Sequence, residues 1–245
     1  MSLRILFEGS VSKHLESPEE NEDAYRTAPE RGRIVLSDGA SESYDPKHWA
    51  NLLVETFATS ELSAESCSRC VEAYEALHEP ASLSWSRAAA YERGSFATLM
   101  IVQDHPQDLR VAIKSVGDSL AVLTDGQRLL RTAPYSTSTE FSLNPTLLAT
   151  KPEHNSALEF GKEGSEPCFT WEYEPQGYLL LLCMTDALGA WLLKHQEQDD
   201  PTALERLLAI REISELEELV ESERESGLLR RDDTTLIITA LVGCD

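Results

Sequence analysis

Aspartate recurs in this sequence at the ends of short apolar runs. Asp38 follows Arg33 to Ser37, Asp118 follows Val111 to Gly117, Asp186 follows Leu179 to Thr185, and the pair Asp232 and Asp233 precedes Thr234 to Leu241. Runs of this length and composition read as strands. In antiparallel neighbours the end of one strand lies beside the start of the next, so the carboxylates can converge on one rim. Converging carboxylates repel one another and resist ionising together unless cations offset them. Donors that are all oxygen select hard divalent ions such as magnesium, manganese or calcium over zinc.

Other chemistries have less footing. The histidines, His14, His48, His78, His105, His154 and His195, form no H-x-x-x-H or H-E-x-x-H pair for zinc. Gly117-Asp118-Ser119-Leu120-Ala121 departs from the nucleophile elbow G-x-S-x-G at its last position, and the run after Ser119 reads as strand where that motif needs a helix. Cys67 and Cys70 have C-x-x-C spacing, but Cys168, Cys183 and Cys244 supply no second pair. Five cysteines in all point to mostly reduced thiols. Cys183, inside an apolar run, reads as a buried small hydrophobe.

The elements that must position the aspartates are legible as patterns. Strands are expected at Leu3 to Phe7, Arg33 to Leu36, Ala97 to Val102, Val111 to Val116, Leu120 to Leu123, Tyr178 to Met184 and Thr234 to Val242. Asp125-Gly126 between two apolar runs is a hairpin signal. Helical spacing marks Pro46 to Thr59, a block from Glu65 to Arg93, Ala187 to His195, Thr202 to Ile210 and Ile213 to Ser226, with Gly227 as a stop. Helices grouped in two blocks, and not one after every strand, predict an α+β fold of mainly antiparallel sheets flanked by helices. Residues 131–176 are rich in Ser, Thr, Pro and Glu and predict a long excursion from the sheet, a flap over a site within one domain spanning 1–245.

The chain has 245 residues, 41% of them apolar, enough for a substantial core. Its 21 basic and 43 acidic residues leave a net charge of −22, which repels nucleic acid and anionic lipid. The first apolar run is too short for a signal peptide and no later run approaches the roughly 20 residues of a membrane span, so a cytoplasmic location is expected.

Taken in order, Asn21-Glu22-Asp23-Ala24, Ser37-Asp38-Gly39, Gly94-Ser95-Phe96-Ala97-Thr98, Val116-Gly117-Asp118-Ser119, Thr185-Asp186-Ala187 and Asp232-Asp233-Thr234-Thr235 resemble the motifs of the metal-dependent protein phosphatase 2C family across nearly the whole chain. The resemblance implies a four-layer α/β/β/α sandwich with a metal cleft at one end of paired sheets. It implies a serine/threonine protein phosphatase in phosphorylation signalling, with a phosphoprotein as substrate. Phosphate monoesters would be hydrolysed by water activated on two or three magnesium or manganese ions. By the same resemblance, Asp38 would bridge two ions, Asp186 and Asp232 would complete the first site, and the Gly39 carbonyl would bind the second ion. Glu22 and Asp23 would hold that second ion directly or through water, and Asp118 would serve a third. Asp38 and Asp23 would bear on catalysis most directly.

The sequence departs from the family where Ala40-Ser41-Glu42-Ser43 replaces a usual second glycine pair, and no histidine stands where some members place a proposed general acid. No arginine near the N-terminus is placed to grip phosphate; Lys13 is the nearest basic candidate. The altered segment carries the alternative reading, a phosphatase-like module that binds phosphoproteins or regulatory partners without turnover.

Overall fold

The computed structural model describes residues 3–156, 158, 168–174 and 178–241. Its strands are β1 (Leu3–Val11), β2 (Ala24–Ala28), β3 (Arg33–Ser37), β4 (Phe96–Ala97), β5 (Leu99–His105), β6 (Arg110–Val116), β7 (Leu120–Thr124), β8 (Leu129–Ala133), β9 (Leu148–Ala149), β10 (Cys168–Glu172), β11 (Leu179–Met184) and β12 (Thr234–Leu241). Its α-helices are α1 (Pro46–Phe57), α2 (Ala64–Glu75), α3 (Trp85–Arg93), α4 (Asp186–Glu197), α5 (Thr202–Ala209) and α6 (Ile213–Glu225).

Two five-stranded antiparallel sheets, ordered β1-β12-β11-β7-β8 and β10-β6-β5-β3-β2, make the centre, and β4 pairs with β9 beside them. Three apolar layers hold the stack. Ile34, Leu36, Met100 and Ile113 from one sheet meet Leu123, Leu181, Cys183 and Ile237 from the other. The opposite face of the first sheet packs Val35, Leu99 and Ile101 on Trp49, Leu53, Phe57 and Tyr74 of α1 and α2. The opposite face of the second packs Val122, Leu182 and Ile238 on Trp191, Leu207 and Val220 of α4, α5 and α6. Both sheets are covered on both faces, which is why strands such as β3, β7 and β12 are buried along their whole length instead of alternating. The order of layers is α/β/β/α, as the resemblance implied.

Local chemistry accounts for the boundaries. Ser63 caps α2 by accepting from the Ser66 N–H at 3.1 Å, and Pro46 occupies the first turn of α1. Gly227, at φ +68°, ends the turn after α6. The Asp125-Gly126 hairpin joins β7 to β8 as expected.

Several expectations need correction. The block from Glu65 to Arg93 is two helices, because Pro80 opens a short 3-10 turn between them. The run from Ala97 to Val102 is broken at Thr98, which leaves the ladder to bond Asp38. Ala24–Ala28 is a strand that polar residues concealed. The excursion at 131–176 contains sheet: β8 reaches Ala133, β9 pairs with β4, and β10 forms an edge beside β6. Residues 157, 159–167 and 175–177, and Val242 and Cys244, lie outside the described residues.

Candidate metal centre

The strand registers bring the aspartates together. In one sheet Leu36 pairs with Met100 and Leu99 with Val116, so β3 and β6 end where β5 begins, leaving Asp38 and Asp118 on that rim. Ala24 pairs with Ser37, which brings Asp23 to the same end. In the other sheet Met184 pairs with both Leu120 and Leu236, so Asp186 follows the end of β11 where β12 begins, just after Asp232 and Asp233. The rims coincide on a cleft of about 470 Å³ lined by Asp38, Asp118, Asp186 and Asp232, with the Gly39 to Glu42 segment and residues between Phe141 and Leu147 in its wall.

Each acid is fixed by its surroundings. The Asp38 N–H donates to Thr98 Oγ1 at 2.8 Å, the Thr98 N–H donates to the Asp38 carbonyl at 2.8 Å, and Ser119 Oγ lies 3.0 Å from the same threonine oxygen. Gly39 has no room for a side chain: an added Cβ would lie 2.9 Å from the Glu22 carbonyl oxygen and from Pro46. Asp23 Oδ2 accepts from Thr235 Oγ1 at 2.6 Å and Thr185 Oγ1 at 3.1 Å. Asp186 opens α4, where the helix N-terminus favours a negative charge. Asp233 faces away from this role, accepting from the Lys13 and Glu22 N–H groups at 2.7 and 2.8 Å. The buried Arg224 guanidinium donates to the carbonyls of Ser12, at 3.1 Å, and Asp232, pinning the turn that presents Asp232.

The electrostatics are those of crowded carboxylates. Desolvation, then the charges of Asp23, Asp186, Asp232 and Asp118, hold the Asp38 carboxyl well above its ordinary range. Desolvation also raises Asp23 strongly, with Asp233 and Asp186 adding to it against the threonine hydrogen bonds. Asp118 is pushed up to about 6 by desolvation and Asp186. Asp232 is raised by desolvation and Asp186, against the opposing pull of Arg230.

Arg230 is the residue that sequence reasoning missed. Its Nη2 donates to Asp186 Oδ2 and, at 3.0 Å, to Asp232 Oδ2. The available signal was the basic pair Arg230-Arg231 set directly before the acidic pair. Among the described residues no three Asp, Glu, His or Cys side chains are gathered closely enough to hold one ion as they stand. The Arg230 guanidinium lies on two of the acids that would have to close.

A hard cation nevertheless fits the donors. Asp23 Oδ1 and Asp186 Oδ1 are buried and have no hydrogen-bond partner among the described residues. A buried carboxylate oxygen left so is costly, and a divalent ion is the partner that an all-oxygen site selects. Glu22 is drawn elsewhere: its Oε2 accepts from Lys13 Nζ at 2.7 Å and from Ser41 Oγ. Burial opposes the Lys13 charge, but the Glu22 hydrogen bond and the charges of Glu22, Asp233 and Asp232 outweigh it and raise its pKa. Ser119 is buried and bonded to Thr98 at the start of a strand, so it is no elbow nucleophile. Cys67, Cys70 and Cys183 are buried.

Solved structures share this architecture. The serine/threonine phosphatase PstP/Ppp of Mycobacterium tuberculosis superposes with a TM-score of 0.62 at 16% identity, covering 99% of this chain and 100% of its own. The chain has the protein phosphatase 2C fold. PppA, a regulatory component of the type VI secretion system in Pseudomonas aeruginosa, matches with a TM-score of 0.59 at 19% identity, with 98% of each chain covered. The catalytic domain of PstP in complex with two manganese ions matches at 0.57 and 16% identity, covering 98% of this chain and 99% of that one. No protein-family model and no curated protein sequence matches the chain. At these identities the likeness is one of fold, the α+β sandwich of that family, and the rim where its two sheets meet is where the four aspartates stand.

Proposed function

We propose that this protein is a metal-dependent serine/threonine protein phosphatase that hydrolyses phosphate monoesters. The observation that carries it is the set of four aspartates, drawn from both central sheets, around one cleft of a phosphatase fold. Asp38, Asp186 and Asp232 would hold one divalent ion. Asp38, the Gly39 carbonyl and Asp23, with Glu22 once freed from Lys13, would hold another, and Asp118 a third. Magnesium or manganese in such a site supplies an activated water at neutral pH and offsets the charge of the phosphate.

The chain's own residues do the rest. Thr98 and Ser119 keep the Asp38 backbone in place, and Thr185 and Thr235 orient Asp23. The wall between Phe141 and Leu147 narrows the cleft, and the 131–176 excursion that carries it would act as a flap beside the bound phosphoprotein.

The alternative is a phosphatase-like module that binds phosphoproteins without turnover. It draws on three ion pairs: Arg230 with Asp186 and with Asp232, and Lys13 with Glu22. Hydrolysis of p-nitrophenyl phosphate and a phosphothreonine peptide by metal-stripped protein, with and without added manganese, separates them. Manganese-dependent release of phosphate is expected; manganese binding without release favours the module.

A further inference from the structure

Arg230 is the one cationic residue lining the cleft among the described residues. Its side chain is 54% exposed, and the carboxylate oxygens it grips belong to Asp186 and Asp232, the two acids assigned to the first ion. The guanidinium holds one oxygen of each acid, and an ion drawn in at the open Asp186 Oδ1 competes with it for the charge of the same two carboxylates. The ion has twice the charge in a smaller volume, whereas guanidinium spreads its charge over a planar fork, so loading displaces the arginine. There is space for it to move: Arg230 also borders a second hollow of about 190 Å³, with Trp191, Lys194 and Leu228.

The other basic groups near the rim are committed. Lys13 Nζ donates to Glu22 at 2.7 Å and Ser41 at 2.8 Å, Arg231 donates to the Lys13 carbonyl at 3.3 Å, and Arg224 is buried on backbone carbonyls. In a chain of net charge −22 a phosphate dianion needs a local cation beyond the ions themselves. The arginine fork matches two phosphoryl oxygens as well as it matches two carboxylate oxygens.

We propose that Arg230 is the phosphate-binding residue of this cleft, held on Asp186 and Asp232 in the metal-free protein and released to the phosphoryl oxygens when divalent ions take its place. This rests on the phosphatase reading and adds to it the group that grips the substrate. It also makes Arg230 a tethered competitor of the metal.

The test is calorimetry on metal-stripped wild type, Arg230→Ala and Arg230→Lys, titrated first with manganese and then, once saturated, with inorganic phosphate. Arg230→Ala should bind manganese about tenfold tighter and phosphate about tenfold weaker, the scale of one charge-assisted hydrogen bond. Arg230→Lys, a point charge without the fork, should bind phosphate with intermediate affinity, and it carries the test if the alanine variant does not fold. Unchanged manganese affinity in the folded variants overturns the competition. Manganese-loaded wild type that binds phosphate no better than Arg230→Ala overturns the proposal and leaves the phosphatase reading standing, whereas wild type that takes up manganese but no phosphate overturns both.

Discussion

Asp38 and Thr98 are bonded in both directions, the aspartate N–H to the threonine Oγ1 and the threonine N–H to the aspartate carbonyl, each at 2.8 Å. They flank adjacent strands of one sheet, so this pair fixes the carboxylate that feels the charges of Asp23, Asp186, Asp232 and Asp118 together. Gly117 backs onto it at φ +101°, where an added Cβ would lie 2.6 Å from Thr98 Cγ2.

Thr98→Val keeps the shape and removes the acceptor. It should cost roughly 1–3 kcal/mol, the penalty for a buried N–H without a partner. It should also lower kcat/KM about tenfold or more, because a support behind a proposed metal ligand is lost. Urea denaturation and steady-state kinetics on the same preparation check both effects; a stability loss with unchanged kinetics would separate Thr98 from the site.

Arg224 supports the other side of the cleft. Arg224→Met fills part of the volume but removes the donor to the Ser12 and Asp232 carbonyls, so roughly 1–3 kcal/mol is expected for each carbonyl left dry. Manganese affinity should fall with it, since the turn that presents Asp232 loosens. Thermal unfolding with and without manganese reads this as a lower melting temperature and a smaller shift on adding the ion.

The crowded carboxyls make the metal-free protein sensitive to pH in a defined direction. Asp118 titrates at about 6 in the folded chain against about 3.9 when unfolded, and Asp23 and Asp38 are raised as well. Between pH 4 and 6 the folded state therefore keeps protons that the unfolded chain has released. The stability this gives is present in full below about pH 4 and is lost as pH rises through about 6, with up to roughly 3 kcal/mol from Asp118 alone. Chelated protein should be more stable to urea at pH 5 than at pH 7.5, Asp118→Asn should shrink that difference, and manganese should reverse it by stabilising the ionised carboxylates.

The two antiparallel sheets were legible because buried strands announce themselves, the runs at β3, β6, β7, β11 and β12 being short, apolar and bounded by turn residues, whereas the four-layer order was implied by the family resemblance. Antiparallel order was then implied by helices grouped in two blocks, and with it the shared rim that the registers of Leu36, Val116, Met184 and Leu236 display. Polar strands were not legible. Ala24–Ala28 and Cys168–Glu172 lie at the two edges of their sheet, where one neighbour suffices and apolar alternation weakens. Arg230 was not legible either, because a surface arginine and one aimed at two carboxylates look alike until the turn before β12 is folded beside α4. The pull of Lys13 on Glu22 is tertiary in the same sense.

In the proposed phosphatase site Asp38 joins the two halves of the metal centre. The most direct measurement takes metal-stripped wild type and Asp38→Ala, counts manganese bound per chain by calorimetry, and tracks hydrolysis of p-nitrophenyl phosphate in the same samples. Wild type should bind at least two ions and turn over only with them, while Asp38→Ala should lose ion binding and at least about 100-fold in rate, more than a supporting residue would cost. Wild-type turnover that survives chelation, or an Asp38→Ala variant that binds manganese and hydrolyses the ester like wild type, would rule out a metal-dependent site built on Asp38.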